Sequence, residues 1–179
     1  IQKSNFSGGP RAYTTAFSIS NKAYLGTGYD GTYKNDFWEY NANNDSWSQK
    51  SNFPGGARYG SSAFVINSKA YFGTGYDGVS YKKDIWEYEP SSDSWIPKRD
   101  FEGGESAFGK MSFSIGSKGY FGDTNNYNDF WEYSPGNLQL KIESRLETVC
   151  LGENLLFSFS TGCLSMDTNN VFTVQLSDK

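Results

Sequence analysis

Histidine is absent from the 179 residues, and cysteine and methionine occur only twice each. Without imidazole the chain has no Ser-His-Asp or Cys-His nucleophile system, no histidine general base and no histidine-ligated metal. No apolar run approaches the roughly 20 residues of a membrane-spanning helix, so membrane insertion is not expected. Cationic residues are scattered singly, 16 Lys and Arg against 20 Asp and Glu, for a net charge of −4. With no basic stripe to follow a phosphate backbone, no nucleic-acid partner is expected. Good helix formers are sparse, whereas 13 Tyr, 14 Phe, 5 Trp and 20 Gly are present with abundant Ser, Asn and Asp. Aromatic residues favour strands and the small polar ones favour turns, so the composition reads as all-β with many short strands.

An internal repeat dominates the first three quarters of the chain. NDFWEY (35–40), KDIWEY (83–88) and NDFWEY (128–133) place their Asp at 36, 84 and 129, spaced 48 and then 45 residues apart. KAYLGTGYDG, KAYFGTGYDG and KGYFGDTNNY precede them, NDSW recurs as SDSW, and the joints read SNFSGGPR, SNFPGGAR and RDFEGGES. In the second unit the strands are expected at about Ser62–Ile66, Ala70–Gly75, Asp84–Tyr88 and around Trp95, with Gly, Asn, Asp and Ser between them. The third of these is apolar or aromatic at three of five positions, which suits a sheet covered on both faces. A four-stranded unit of this length and double-sided burial is what a propeller blade requires.

GTGYDG, at 26–31 and again at 73–78, satisfies the dinucleotide fingerprint G-x-G-x-x-G. That fingerprint works only where a helix follows, so that the pyrophosphate meets the helix N-terminus. Here TYKNDFWEY leads into another strand, so the glycines are read as the turn that ends a strand, and no cofactor is expected.

The units resemble kelch repeats, particularly those of secreted bacterial proteins with a galactose-oxidase-like propeller. The matching letters are Arg11 and Arg58 opening the first strand, Tyr24, Tyr71 and Tyr120 in the second, WEY in the third, and Trp47 and Trp95 in the fourth. One departure is consistent: the family ends its second strand with two adjacent glycines, whereas Thr27 and Thr74 here precede Gly28 and Gly75. The resemblance implies a partial kelch β-propeller over 1–136, with three four-stranded blades. Residues 1–3 would end an upstream blade, and the repeats would span 4–50, 51–98 and 99–136. IQKSNFSGG aligns with SQKSNFPGG just after a fourth-strand Trp, so the chain is read as an internal piece with further blades upstream. Three blades cannot close a ring, because propellers use at least about four. A dimer of two arcs is the alternative to upstream blades. The third unit lacks DSW, so its outer strand is either LQLKIE or a strand exchanged from the distant N-terminus.

From 137 the character changes, and CLGENLLFSFSTGC with NNVFTVQLSD resembles the start of a bacterial surface Ig-like module. Residues 137–179 would make only an incomplete Ig-like segment, because such a sandwich needs about 100 residues. Cys150 and Cys163 flank one of its expected strands, where they form either a disulfide in a secreted protein or two buried thiols.

In a propeller the joint before the first strand and the loop after the second open on one face. Arg11, Arg58, Tyr29, Asp30, Tyr76 and Asp77 should therefore converge at one mouth as ligand-binding residues. Arg presents a fork for carboxylate or phosphate, and Tyr a flat amphipathic surface for sugars or peptides. Their repetition equally fits a scaffold in which Arg11 and Arg58 pair with Glu39 and Glu87 between blades. The third unit replaces the Arg with Ser106 or Ala107 and adds Glu105, Lys110 and Asp123. Glu39, Glu87 and Glu132 fall at identical positions of different blades, so they are not expected to form a glycosidase acid pair. DGTYKND (30–36) lacks the dense ligand series of a calcium loop, and no metal site is expected. The function expected is a non-catalytic binding or adhesion module, with a protein or glycan partner, within a larger secreted or cell-surface bacterial protein. An enzyme like the kelch-type sialic-acid mutarotases and a structural spacer are the alternatives.

Overall fold

A computed structural model describes residues 1–102, 111–122 and 130–135. Ser106, Ala107, Glu105, Lys110, Asp123, LQLKIE, the Ig-like segment and the Cys150–Cys163 pair lie outside these residues.

The described chain is all-β, in three antiparallel sheets. The first comprises β1 (Thr15–Ile19), β2 (Lys22–Gly26), β3 (Phe37–Asn41) and β4 (Ser46–Lys50). The second repeats it with β5 (Ser62–Ile66), β6 (Lys69–Gly73), β7 (Ile85–Glu89) and β8 (Ser94–Lys98). The third contains β9 (Met111–Ile115), β10 (Lys118–Gly122) and β11 (Phe130–Tyr133). Registers match between repeats, Phe17 facing Tyr24 as Phe64 faces Tyr71 and Phe113 faces Tyr120. No helix among the described residues is long and apolar enough to cross a membrane.

The strands of the second unit lie where sequence patterning places them, with two shifts that have a cause. β6 ends at Gly73 rather than Gly75 because Thr74 and Gly75 turn to positive φ, 59° and 93°, which a sheet ladder cannot hold. β7 begins after Asp84 rather than on it, because the Asp84 carboxylate turns to Arg58. The four-residue turn between the third and fourth strands is fastened by an aspartate. Asp45 and Asp93 adopt φ of 52° and 50°, and their carboxylates accept hydrogen bonds from Tyr40 at 2.6 Å and Tyr88 at 2.8 Å. That pairing is the physical content of the recurring DSW.

The core lies between sheets. Ile19, Tyr24 and Phe37 of the first sheet meet Phe53, Ala70, Phe72 and Tyr88 on the near side of the second. Phe64, Ile66, Tyr71 and Ile85 on the far side of the second meet Phe101, Phe121 and Tyr133. Successive strand residues point to opposite faces, so Tyr71 serves one interface and its neighbour Phe72 the other. Sandwiching on both sides buries Ala70, Tyr71, Phe72 and Gly73 of β6 in succession. Ring pairs set the spacing, Phe37–Tyr88 at 4.8 Å, Phe53–Phe72 at 4.9 Å and Phe101–Phe121 at 4.7 Å between centroids. On the third sheet the residues matching Phe64, Ile66 and Ile85 are Phe113, Ile115 and Phe130, which are 39%, 64% and 57% exposed.

Phe72 is fully buried and touches Phe17, Phe37, Phe53 and Trp95. Phe72→Ala is expected to lower stability by about 3–5 kcal/mol. Urea unfolding followed by tryptophan fluorescence would measure the loss, and a cost under about 1 kcal/mol would show that the sheets do not depend on this interface.

Candidate functional site

Each repeat brings two connections together at one end of its sheet. The joint before the first strand pairs with the loop after the second, through Ala12 with Tyr29 and Tyr59 with Tyr76. Tyr29 also pairs with Tyr33, and Tyr76 with Tyr81, so each loop folds back on itself. Neighbouring repeats are stitched by backbone bonds, Gly28 N–H to Arg58 O at 2.9 Å, Arg58 N–H to Lys34 O at 3.0 Å and Gly60 N–H to Tyr13 O at 3.0 Å. These bonds join the loop ends of the first two sheets in one continuous backbone platform.

Beneath the platform the arginines hold it in place. Arg58 grips Asp84 through both terminal nitrogens, at 2.5 and 3.0 Å, and also donates to the carbonyls of Thr74 and Gly55. Arg11 repeats the arrangement with Asp36, at 2.5 and 2.9 Å, and with the carbonyls of Thr27 and Gly8. Indole N–H groups of Trp38 and Trp86 complete the carboxylates, at 2.7 and 2.9 Å, and the guanidinium groups lie over Phe6 and Phe53. Burial opposes the ionised form of Asp36, yet the bonds from Arg11 and Trp38 hold its carboxyl below the ordinary range. The arginine side chains are 3% and 1% exposed, so their forks face inward and not toward a ligand.

The partners differ from the expected Glu39 and Glu87. Asp36 stands just before β3, where its carboxylate meets Arg11, whereas Glu39 lies within β3 and turns to Tyr24 and Lys22 of the neighbouring strand. The glutamates have their own repeated partners. Glu39 accepts from Tyr24 at 2.9 Å and pairs with Lys22 at 2.8 Å, and Glu87 accepts from Tyr71 at 2.9 Å and pairs with Lys69 and Lys98, both at 2.8 Å. Glu132 sits likewise with Tyr120 and Lys118. Each glutamate thus belongs to its own sheet, consistent with a structural role.

Asp30 and Asp77 shape the loops. Asp30 accepts from the Thr32 amide and hydroxyl at 3.2 and 2.9 Å, and Asp77 from the Val79 and Ser80 amides at 2.9 and 2.8 Å. Lys34 pairs with Asp30 at 2.9 Å and Lys82 with Asp77 at 2.6 Å. The Lys34 and Thr32 bonds bring Asp30 down to about 2, and the Lys82, Ser80 and Val79 bonds hold Asp77 well below the usual carboxylate range. In GTGYDG the second glycine combines a positive φ with a close backbone approach. At Gly75, φ is 93° and an added Cβ would lie 2.7 Å from the Tyr59 carbonyl, and at Gly28 it would lie 2.9 Å from that of Ala12.

What the platform presents is tyrosine. Tyr29 and Tyr76, both expected at the site, are joined by Tyr13, Tyr33, Tyr59 and Tyr81, which sequence reasoning missed. Their rings form a connected array: Tyr13–Tyr59 at 5.3 Å, Tyr59–Tyr33 at 5.5 Å, Tyr33–Tyr29 at 5.2 Å, Tyr59–Tyr76 at 5.9 Å and Tyr76–Tyr81 at 5.0 Å. Tyr13, Tyr29 and Tyr81 are 61%, 38% and 50% exposed. Burial, followed by the neighbouring phenols, pushes the Tyr33 and Tyr59 hydroxyls above the ordinary phenol value. The signal that marks the missed residues is local: Tyr59 adjoins Arg58, and Tyr33 and Tyr81 close the YDG loops. Among the described residues no group of three or more Cys, Asp or Glu could hold a metal ion.

Arg58→Ala leaves Asp84 and two carbonyls without their donor and is expected to cost about 3 kcal/mol, with Arg58→Lys recovering only part, since one ammonium cannot replace the fork. Denaturant titration would reveal a mistaken assignment as a loss below about 1 kcal/mol. Glu87 gives a pH dependence. Burial opposes its charge, but bonds from Lys69, Lys98 and Tyr71 bring it from an ordinary 4.5 to about 2. Its contribution is therefore complete above about pH 4.5 and is lost as pH falls toward about 2, so Glu87→Gln should flatten the acid limb of a stability–pH curve. Parallel acid limbs for both proteins would refute the assignment.

No protein-family model matches the chain, and no curated protein matches it. Its fold is similar to the solved structure of YjhT, a kelch-type protein, with a TM-score of 0.57 and 19% identity. The similarity covers 76% of this chain and 55% of YjhT, so the chain spans about half the length of that protein. Together with the three antiparallel sheets, this likeness identifies the fold as a kelch-like β-propeller architecture.

Proposed function

We propose that the chain is a non-catalytic binding or adhesion module of a larger secreted or cell-surface bacterial protein, which holds a protein or glycan partner at the loop end of its sheets. The observation that carries this reading is the tyrosine array, six rings on a backbone platform, three of them with at least 38% of their surface exposed. Tyrosine supplies large contact area at low side-chain entropy cost, which is why it concentrates in binding surfaces. The placement on loops braced by a rigid sheet is also that of recognition sites in general.

The groups that catalysis would need are engaged elsewhere. The guanidinium groups are closed on Asp36 and Asp84, and the Asp30 and Asp77 carboxylates on lysines and loop amides. An enzyme resembling the sialic-acid mutarotases would want an unengaged acid and guanidinium at the same face. This supports binding over catalysis, and the exposed rings support binding over a bare spacer.

Immobilised oligosaccharide and peptide arrays probed with the full chain would test the reading. Retention on a defined set of spots is expected, and Tyr29→Ala with Tyr76→Ala should abolish it while the melting temperature falls by no more than about 4 °C. No retention on any spot would favour the spacer. Retention undiminished in the double variant would remove these residues from the site.

A further inference from the structure

We infer that two copies of this chain associate head to tail, the third sheet of each packing on the first sheet of the other. Three sheets from each copy then close one ring. The contact uses the flanks of the sheets and does not involve the loop end.

Every sheet has two unlike faces. The far face, toward the following sheet, carries Phe17, Ile19, Tyr24 and Phe37 in the first sheet and Phe64, Ile66, Tyr71 and Ile85 in the second. The near face carries Phe53, Ala70, Phe72 and Tyr88 in the second sheet, matched by Phe101, Gly119, Phe121 and Tyr133 beside the third. Far meets near twice within the chain. One far face is left over, with Phe113, Ile115, Tyr120 and Phe130 on the third sheet, and one near face, with Phe6, Ala23, Leu25 and Tyr40 on the first. Ile115 is 64% exposed where Ile66 is 4% exposed, and Phe6, Leu25 and Tyr40 are half-buried where Phe53, Phe72 and Tyr88 are fully buried. The third sheet nevertheless has the ring geometry of a filled interface. Phe113, Tyr120 and Phe130 lie 5.6, 5.9 and 5.6 Å apart, as Phe17, Tyr24 and Phe37 lie 5.2, 5.9 and 5.8 Å apart beneath Phe72 and Tyr88.

The two leftover faces also fit each other in size. On the first sheet, Leu25 stands where the sister sheets have Phe72 and Phe121, and a hollow of about 430 Å³ opens there, lined by Phe6, Arg11, Thr14 and Leu25. On the third sheet the change is opposite: Met111, 54% exposed, stands where the sister sheets have Thr15 and Ser62. Thr15 donates to the Ser61 carbonyl of the following sheet at 2.6 Å, and Phe17 meets Phe72. Ser61 corresponds to Thr14, and Phe72 to Leu25. The same docking therefore carries Met111 and Phe113 into the hollow, a larger residue on one face meeting a smaller one on the other. Close approach is provided for as well. A Cβ on Gly119 would lie 2.3 Å from the Phe64 ring, and Ala70 keeps the same position small in the second sheet. Ala23 leaves that room for Phe113.

A single copy cannot join its own ends, because its second sheet lies between them and rings need at least about four sheets. Two copies bring the number within the usual four to eight, and the likeness to YjhT already spans about half of that protein. Unlike faces joined head to tail form a closed pair when the rotation returns on itself, and the contact is then made twice. One aromatic side chain covers about 150–250 Å², so two such contacts reach the roughly 1,200–2,000 Å² of stable association.

Sedimentation velocity on the full chain over a dilution series would test this, with Ile115→Asp altering the third sheet and Ala23→Arg the first. A species of twice the chain mass is expected. Each variant should weaken it more than about tenfold while the circular dichroism spectrum stays that of the parent, both positions lying at a sheet surface. Mixing the two variants should restore a weaker pair, since one copy keeps its first-sheet face and the other its third-sheet face. A monomer at every concentration would overturn the inference and give the third-sheet face to another occupant, such as a further segment of the polypeptide. Loss with Ile115→Asp alone would overturn it in favour of two third sheets packed on each other. Assemblies larger than a pair, a pair that neither variant weakens, or variants that stay apart when mixed would overturn it too.

Discussion

Arg58 and Asp84 form the contact on which the loop end of the molecule depends. One guanidinium satisfies a carboxylate, the carbonyl of Thr74 just after β6 and the carbonyl of a glycine in the preceding joint. Three chain segments far apart in sequence are thereby fixed to a single planar group. A buried pair of this kind brings little net stability over a well-packed apolar substitute, but removing one partner leaves the other desolvated and alone. Its consequence is geometric: it dictates where the joint turns, and so where Tyr59 and the Tyr76 loop must lie. Arg11 and Asp36 do the same one repeat earlier, and the two constructions meet through the backbone of Arg58 and Lys34.

Between the sheets the organising force is aromatic packing. A sheet sandwiched on both faces needs apolar residues at odd and even positions alike, and flat rings fill the roughly 10 Å between sheets with few atoms exposed. Buried tyrosines extend this by carrying a hydroxyl to the sheet margin. Tyr24 and Tyr71 hand theirs to a glutamate, and Tyr88 to the turn aspartate. The interface is thus apolar at its centre and hydrogen-bonded at its edge, with each repeat using the same letters for the same purpose.

The tyrosine platform departs from this economy. Its rings do not fill the sheet-to-sheet core, and one of them holds a backbone conformation that glycine adopts in the sister repeat. Scaffold residues repeat because every interface needs them, whereas Tyr13 breaks the repeat.

Repeat spacing, strand positions and the all-β class were readable from the chain, because two-residue alternation and turn chemistry are local and the repeat supplies each signal more than once. The resemblance of WEY and the joint arginines to kelch repeats anticipated the fold. The same letters placed Tyr29 and Tyr76 at the loop end, since chain direction alternates from strand to strand. They did not identify the partner of Arg58, because Asp84 and Glu87 are equally acidic and only their places, one just before β7 and one within it, separate them. Nor did they show that Asp30 and Asp77 would be neutralised by lysines within their own loops, or that Tyr13, Tyr33, Tyr59 and Tyr81 would join one surface. Sequence alone determined which residues could form strands and turns. Tertiary structure decided which charges are paired and which rings reach the surface, because pairing and exposure depend on segments that meet only after the sheets have packed.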